Sequence, residues 1–396
     1  MRILIVEDEM LSRRMLERDL KKLGYETDAA ADGLAAWQLI EQRPYQIVVS
    51  DWEMPGMNGV ELVKRIREMK SDDYVYVILL TSRSAKLDLI EGMEAGADDF
   101  VTKPFELDEL RVRLRAGQRL LELEHSMARQ KRELEEWKTR VKEDLSAAAA
   151  IQQAFLPTTL PDLPGLRFAW RYQPCDELGG DTLGIVQLDE THIGFYVLDV
   201  CGHGVRAALL SVALSRNLSA GGGSVLRQPA DNALGYRIVP PAEVASILND
   251  RFAWNEQAGQ FFTMFYGIVN LRTRELQYVI AGHPKPIYIA SGSEPRLLEG
   301  NGFPIGPVPA AEFEEYRMQL GPGDRILIYS DGLNEVFGVN GRQLGTGGLM
   351  RLWTACHEMP LDAAVSRLLD DVESWRGGLP THDDLSLIGL DVGVIA

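Results

Sequence analysis

Residues 119–157 read RLLELEHSMARQKRELEEWKTRVKEDLSAAAAIQQAFLP, and the rest of the chain divides around them. Steps of three and four residues pick out Leu120, Leu123, Met127, Gln130, Leu134, Trp137, Val141, Asp144, Ala148, Ile151 and Phe155. Only Gln130 and Asp144 in that series are polar, and no Gly or Pro interrupts it before Pro157. The spacing predicts one helix with a narrow apolar seam, roughly 55–60 Å long at about 1.5 Å per residue. So narrow a seam implies a partner helix, and a parallel coiled-coil homodimer is the expected arrangement. The alternative is an amphipathic helix lying on its own domain. Leu114 and Leu121 follow a different seam from Leu120 onward, which predicts a stutter near Gly117. Gly117 and the small residues 147–150 are the expected points of adjustment in this helix.

A chain of 396 residues is long enough for two or three domains, and a 45% hydrophobic fraction can fill their cores. With 41 Lys and Arg against 58 Asp and Glu, the net charge of −17 weighs against nucleic acid and anionic membranes as partners. The three scattered cysteines, Cys175, Cys201 and Cys356, suggest a reducing compartment with no disulfide framework or zinc site. The opening MRILIVEDE is unlike a signal peptide, and no apolar run approaches the ~20 residues of a membrane span. A soluble cytoplasmic protein is expected.

Before the seam, apolar runs at residues 2–6, 46–50, 76–80 and 99–102 alternate with helical patterns such as 11–23 and 60–69. This alternation predicts an α/β domain with a parallel sheet covered on both faces. Sites in such sheets form at the carboxyl ends of strands, here Glu7, Asp8, Asp51, Thr81 and Lys103. Three carboxylates at neighbouring strand ends repel one another unless a hard cation such as Mg²⁺ joins them. A hydroxyl and an ammonium opposite them suit a phosphoryl group, so a carboxylate accepting phosphate is the chemistry implied.

The segments IVEDE, VVSDWEMPGMNGVEL, LLTSRS and EAGADDFVTKPFELDEL resemble the receiver domain of bacterial two-component response regulators. The resemblance implies a doubly wound five-stranded parallel sheet, with Asp51 as phospho-acceptor and a sensor histidine kinase as phosphate donor. It implies Mg²⁺ held by Glu7, Asp8, Asp51 and the backbone carbonyl of Glu53, and phosphoryl contacts from Thr81 and Lys103. Phe100 stands where that family keeps its switch aromatic, more often Tyr.

After the seam, strands are expected at residues 167–171, 185–188, 192–200, 262–270, 275–281, 287–291, 325–329 and 385–391, with helices at 207–218, 242–254, 349–357 and 361–373. Strands in series with helices apart suggest an α+β domain of two antiparallel sheets flanked by helices. Residues 219–241 are rich in Gly and Pro and read as a long mobile loop. Four acidic motifs place an Asp at a strand end: Leu178-Gly179-Gly180-Asp181, Asp199-Val200-Cys201-Gly202-His203-Gly204, Tyr329-Ser330-Asp331-Gly332 and His382-Asp383-Asp384-Leu385-Ser386. Aspartates without a His or Cys cluster point to Mg²⁺ or Mn²⁺. Two such ions can bridge a water and lower its pKa for attack on a phosphoester.

These motifs, with AAAAIQQAFLP, QFFTMFYGIV, IAGHPKP, FPIGPVP and LGPGDRILIYSDGLNEVF, resemble the metal-dependent protein phosphatase (PPM) family. They fit its bacterial branch of stage-II-sporulation and stress-sigma-factor regulators. The resemblance implies Asp199, Asp331 and Asp383 as carboxylate ligands of two or more Mn²⁺ or Mg²⁺, Val200 as a carbonyl ligand, and Asp181 close behind. Asp384 is not separated from Asp383 by sequence. Two departures stand out: no second acid follows Asp181, and Cys201 replaces the usual Ser before Gly-His-Gly. Cys201 is expected as a small buried structural residue and His203 as packed on the helix start. Gly282-His283 is expected to shape a turn.

The expected organisation is a receiver at 1–117, a coiled-coil linker at 118–157 and a phosphatase domain at 158–396. The implied function is a response regulator controlling a phosphoserine/phosphothreonine protein phosphatase. Its substrate would be a partner such as an anti-sigma-factor antagonist. The alternative is a non-catalytic adaptor for a sigma factor or its regulators. A DNA-binding output is disfavoured, since no basic recognition helix follows residue 117.

Overall fold

The alternating pattern of the first hundred residues folds as β1 (Arg2–Val6), α1 (Met10–Lys22), β2 (Glu26–Ala30), α2 (Gly33–Gln42), β3 (Ile47–Asp51), α3 (Gly59–Glu68), β4 (Tyr76–Thr81), α4 (Lys86–Glu94) and β5 (Asp99–Thr102). The computed structural model of the chain describes residues 1–69, 74–82, 86–158, 163–219, 224–232, 235–254 and 259–393. They fall into two compact units, Met1–Thr139 and Arg140–Ala396. In the first, five parallel strands run in the order β2-β1-β3-β4-β5. Strands β3 and β4 are buried along their whole length, which is why they read as unbroken apolar runs. Strand β2 escaped the sequence reading because ETDAA is an edge strand that buries only its last residue. Asn58 caps α3 with a reciprocal box: its Oδ1 accepts from Glu61 N at 2.8 Å, and Glu61 Oε2 accepts from Asn58 N at 3.2 Å.

Helix α5 (Leu107–Gln153) runs without interruption through the quoted stretch. Its first turns bury Leu110, Leu114 and Leu121 against Ile3, Ile5, Ile78 and Leu80. Gly117 lies on this face because a Cβ there would sit 2.5 Å from Cδ1 of Tyr76. The glycine makes room for a ring; its role is packing, where the sequence suggested a point of adjustment. Beyond it Leu123, Met127, Leu134, Trp137 and Ile151 are exposed. With Leu120 exposed and Leu121 buried, the apolar face changes sides of the helix at these two residues.

The second unit comprises β6 (Leu166–Gln173), β7 (Thr182–Gln187), β8 (His192–Val200), α6 (Val205–Asn217), β9 (Arg227–Pro229), β10 (Tyr236–Ile238), α7 (Pro241–Arg251), β11 (Phe262–Asn270), β12 (Glu275–Ala281), β13 (Ile287–Ile289), β14 (Arg296–Leu297), β15 (Tyr316–Gln319), β16 (Arg325–Tyr329), α8 (Asp331–Asn334), α9 (Gly345–Ala355), α10 (Leu361–Arg376) and β17 (Leu385–Val392). Two antiparallel sheets, β15-β12-β11-β8-β7 and β14-β13-β16-β17-β6, pack face to face. Alternate residues of each strand divide between layers. Phe195 and Val197 of β8 enter the inter-sheet core with Phe265, Ile326 and Ile388. Tyr196, Leu198 and Val200 face α6 and α7 through Leu214, Val244 and Leu248. On the other side Leu327 and Tyr329 meet α9 and α10 at Leu349, Trp353 and Leu368.

The stretch 219–241, expected as a loop, holds the short antiparallel pair β9 and β10. Its residues 220–223 and 233–234 lie outside the described residues, as do Pro161 and residues 83–84 of the LLTSRS motif. The pair is three residues a side, too short to show a period in sequence. Among the described residues no helix is long and apolar enough to cross a membrane.

Candidate functional site

At the carboxyl edge of the parallel sheet, Glu7, Asp8 and Asp51 each bring a carboxylate oxygen within 4.8 Å of the others. Glu7 is only 2% exposed and Asp51 is buried. Lys103 Nζ bridges them, donating to Glu7 Oε2 at 2.8 Å and Asp51 Oδ2 at 2.7 Å. Burial works to lower the Lys103 pKa, but its bonds to Asp51 and Glu7 outweigh that and raise it. Burial raises the Glu7 pKa, with Asp51 adding to the effect and Lys103 opposing it. Thr81 ends β4 fully buried, and its carbonyl accepts from Lys103 N at 2.7 Å. Phe100 lies on β5 opposite Leu79 and is partly buried. Glu53 lies in the exposed loop after β3. Among the described residues Lys103 is the only cation ion-paired with these three carboxylates, which leaves a negative excess, and that donor set suits a hard divalent ion.

The aspartates of the second unit gather at one end of the sandwich. Asp199 stands one residue before the end of β8, Asp331 follows β16, and Asp383 precedes β17. Strands β16 and β17 pair antiparallel, Tyr329 against Leu387, which brings the last two to the same edge. The sheets are tied there by Ser386 Oγ, which donates to Asp181 Oδ2 at 2.6 Å. Gly180 makes the close approach possible: a Cβ would lie 2.8 Å from the carbonyl oxygen of Val200.

Crowding shows in the electrostatics. Burial, then the charges of Asp331 and Asp383, push the Asp199 pKa up to about 7. Burial together with Asp199 and Asp384 raises that of Asp181 well above the carboxylate range. Asp331 is raised by burial and by Glu335, and Asp383, exposed as a residue, chiefly by partial desolvation of its carboxyl group. Asp331 Oδ1 is buried without a hydrogen-bond partner. An orphaned anionic oxygen among other carboxylates is costly unless a cation meets it, so these residues fit a divalent metal. Asp199, Asp331 and Asp383 are spread more widely than the N-terminal trio, the only such group within 4.8 Å among the described residues.

The structure separates the neighbours Asp383 and Asp384. Asp383 is exposed, whereas Asp384 is 3% exposed. The Asp384 carboxylate accepts from Cys175 N at 2.8 Å, Gly180 N at 2.6 Å and Asp181 N at 3.2 Å. It holds backbone, and Asp383 is left to face the site.

Two expectations are overturned. Cys201 is exposed, because it lies in the turn between β8 and α6 where Gly202 and Gly204 both take positive φ. His203 is also exposed and pairs with Asp176 at 3.4 Å, where packing on the helix start was expected. His283 is buried after Gly282, whose φ is +67°. Its Nδ1 lies 2.8 Å from Thr263 Oγ1, and burial drops its pKa to about 3.

Gln152 and Arg376 were not singled out from sequence, and Ser386 was quoted only as the end of the fourth acidic motif. Gln152 lay inside the quoted AAAAIQQAFLP without a role. Arg376 lines a pocket of about 160 Å³ with Gly332, Phe337, Leu379 and Asp383, and it pairs with Glu373.

Comparisons with known proteins agree with this architecture. The sequence profile of the response regulator receiver domain matches residues 3–115, and that of Stage II sporulation protein E (SpoIIE) matches residues 189–393, just over half of the chain. The transcriptional regulatory protein TctD of Salmonella typhimurium is 46% identical over 116 residues, 29% of this chain and 51% of that protein. TcrA of Mycobacterium tuberculosis is 44% identical over 115 residues, 29% of this chain and 45% of that protein. The chain thus spans about half the length of the curated relatives it matches. The SiaA-PP2C domain of Pseudomonas aeruginosa superposes with a TM-score of 0.52 at 20% identity, covering 64% of this chain and 98% of that one, and so shares the fold. The chain belongs to the Stage II sporulation protein E (SpoIIE) family, its PP2C-type phosphatase domain preceded by a response regulator receiver domain.

Proposed function

We propose that the chain hydrolyses phosphoserine or phosphothreonine on a protein partner in a metal-dependent reaction controlled by phosphorylation of Asp51. The observation that carries this reading is the buried, unpaired Oδ1 of Asp331 beside Asp199 and Asp383 in a PP2C-type fold. Asp199, Asp331 and Asp383, with the carbonyl of Val200, would hold two Mn²⁺ or Mg²⁺, and Asp181 stands behind them on Ser386. Bound there, such ions supply the acidity that turns water into a nucleophile near neutral pH. The aspartates fix that water's surroundings and need no Ser or Cys nucleophile. The pocket beside Asp383, with Phe337 and Leu379, gives residues flanking the phosphate a partly apolar seat. Family likeness favours an anti-sigma-factor antagonist or a similar partner-switching protein as the substrate, in the cytoplasm.

In the receiver, Glu7, Asp8, Asp51 and the Glu53 carbonyl would hold Mg²⁺ while a sensor histidine kinase phosphorylates Asp51. Thr81 and Lys103 would contact the phosphoryl group, with Phe100 as the switch aromatic. We divide the chain into a receiver at 1–117, a linker at 118–157 and a phosphatase domain at 158–396. The exposed Leu123, Met127, Leu134 and Trp137 suit a second copy of this helix in a parallel dimer. Phosphorylation would alter that pairing. A coupling of ~1–3 kcal/mol would change activity roughly 5–150-fold.

The test is hydrolysis of para-nitrophenyl phosphate with Mn²⁺. Wild type should turn over and Asp331→Ala should not; equal rates would sink the enzyme reading and leave the non-catalytic adaptor. Beryllofluoride should change turnover or sedimentation, and Trp137→Glu should weaken self-association. No response to beryllofluoride in either measurement would end the regulatory part.

A further inference from the structure

Gln152 is a polar side chain on the last turn of α5, yet it is only 7% exposed. Its carboxamide meets the turn that carries Asp181. Nε2 donates to the carbonyl of Gly179 at 2.6 Å and to Ser211 Oγ of α6 at 2.8 Å. Oε1 accepts from Gly179 N at 3.3 Å. The orientation of the amide follows from its partners. Ser211 spends its hydrogen on the carbonyl of Ala208 at 3.0 Å, so toward Gln152 it can only accept. Gly179 N can only donate. Both amide hydrogens and one lone pair are therefore assigned without ambiguity.

Residues 179–181 are thus gripped from two sides. Gln152 holds Gly179 by both of its backbone groups, while Asp384 holds the N–H groups of Gly180 and Asp181. Gly180 in turn packs on the carbonyl of Val200, a proposed ligand. We propose that Gln152 is a positioning residue for the metal site, setting the turn that aims Asp181 and supports Val200 from the end of the long helix. The inference rests on the phosphatase reading and gives its regulation a point of contact. A shift of α5 by about 1 Å would stretch these bonds past hydrogen-bond length, so movement of the helix end becomes a change in the metal site.

The experiment is titration of the full chain with Mn²⁺ alone, followed by calorimetry, for the otherwise wild-type chain, Gln152→Met and Gln152→Glu, each carrying Asp8→Asn and Asp51→Asn so that the N-terminal carboxylate cluster does not take up the ion. Met keeps the volume and removes the amide. Glu keeps an acceptor for Gly179 N and loses both donations. Removing a group that orients a metal site typically costs roughly 10–100-fold in affinity, and a loss of that size is expected for both variants. With para-nitrophenyl phosphate, kcat should fall at limiting Mn²⁺ and recover at saturating Mn²⁺ with KM unchanged, a split that general destabilisation would not produce. Should Gln152→Met fail to fold, Gln152→Glu supplies the comparison, and Ser211→Ala should shift affinity the same way by less. Unchanged Mn²⁺ affinity in folded Gln152 variants would overturn the inference alone. An otherwise wild-type chain that binds no Mn²⁺ would overturn the phosphatase reading and this inference with it.

Discussion

The carboxylate of Asp384 accepts the backbone N–H of Gly180 at 2.6 Å across 204 residues of sequence. Its neighbour Asp383 makes no such bond to that turn and is exposed. The two should therefore fail differently. Asp384→Ala strands the N–H groups of Cys175, Gly180 and Asp181, and it should cost the second unit roughly 2–4 kcal/mol in urea unfolding. Asp383→Ala should cost under about 0.5 kcal/mol and still abolish Mn²⁺-dependent turnover. Equal losses of stability would contradict this division of roles.

Among the described residues Lys103 is the one cation bonded to both Glu7 and Asp51. Lys103→Met leaves two buried carboxylates facing each other, and breaking such a pair is costly even where forming it gains little. We expect the first unit to lose about 2–4 kcal/mol without divalent ions. Mg²⁺ should restore more stability to the variant than to wild type, as read by thermal melting. A variant indifferent to Mg²⁺ would argue against a cation site there.

Gly117 faces the ring of Tyr76 at a distance that admits no Cβ. Ala favours a helix over Gly by up to about 1 kcal/mol, but overpacking costs typically 1–3 kcal/mol. Gly117→Ala should therefore destabilise the first unit. Adding Tyr76→Val should make the double change less than additive. A stabilising Gly117→Ala would mean that the ring moves aside freely.

His283 gives a pH dependence whose sign is fixed by burial. Its pKa falls from 6.5 to about 3 in the folded protein. The unfolded chain therefore takes up a proton that the folded chain refuses as pH drops between those values. The contribution of His283 is fully present above pH 6.5 and is lost as pH falls toward 3, by up to about 1.4 kcal/mol per pH unit. His283→Gln should flatten the acid limb of the stability curve by close to one proton, measured by urea unfolding at pH 7 and pH 5. Parallel curves would show that His283 titrates normally.

The acidic turns were legible because each borders an apolar run, as Asp51 does at the end of β3, Asp331 after β16 and Asp383 before β17. The strands that were missed lack such a run. Strand β2 buries only its last residue, β14 has two residues, and β15 is an edge beside β12. Asp383 and Asp384 could not be told apart because adjacent residues share every local signal, and only the fold gives one of them three backbone donors. Gln152 was hidden for the opposite reason. On a helix otherwise lined with exposed Glu, Lys and Arg, one more amide carries no mark until Gly179 and Ser211 are brought beside it. Cys201 and His203 were expected to be covered, and the positive-φ glycines of their turn carry them outward instead.

Strand β17 lies between β16 and β6, so the first strand of the second unit pairs with one that follows it by more than two hundred residues. During synthesis, a nascent chain that has reached only residue 380 has β6 without its neighbour and lacks Asp383, Asp384 and Ser386. The turn at residues 179–181 then has neither Asp384 to hold its N–H groups nor Ser386 to meet Asp181. Translation order therefore makes this turn one of the last parts of the second unit to gain its partners, since they arrive only with the strand that completes its sheet.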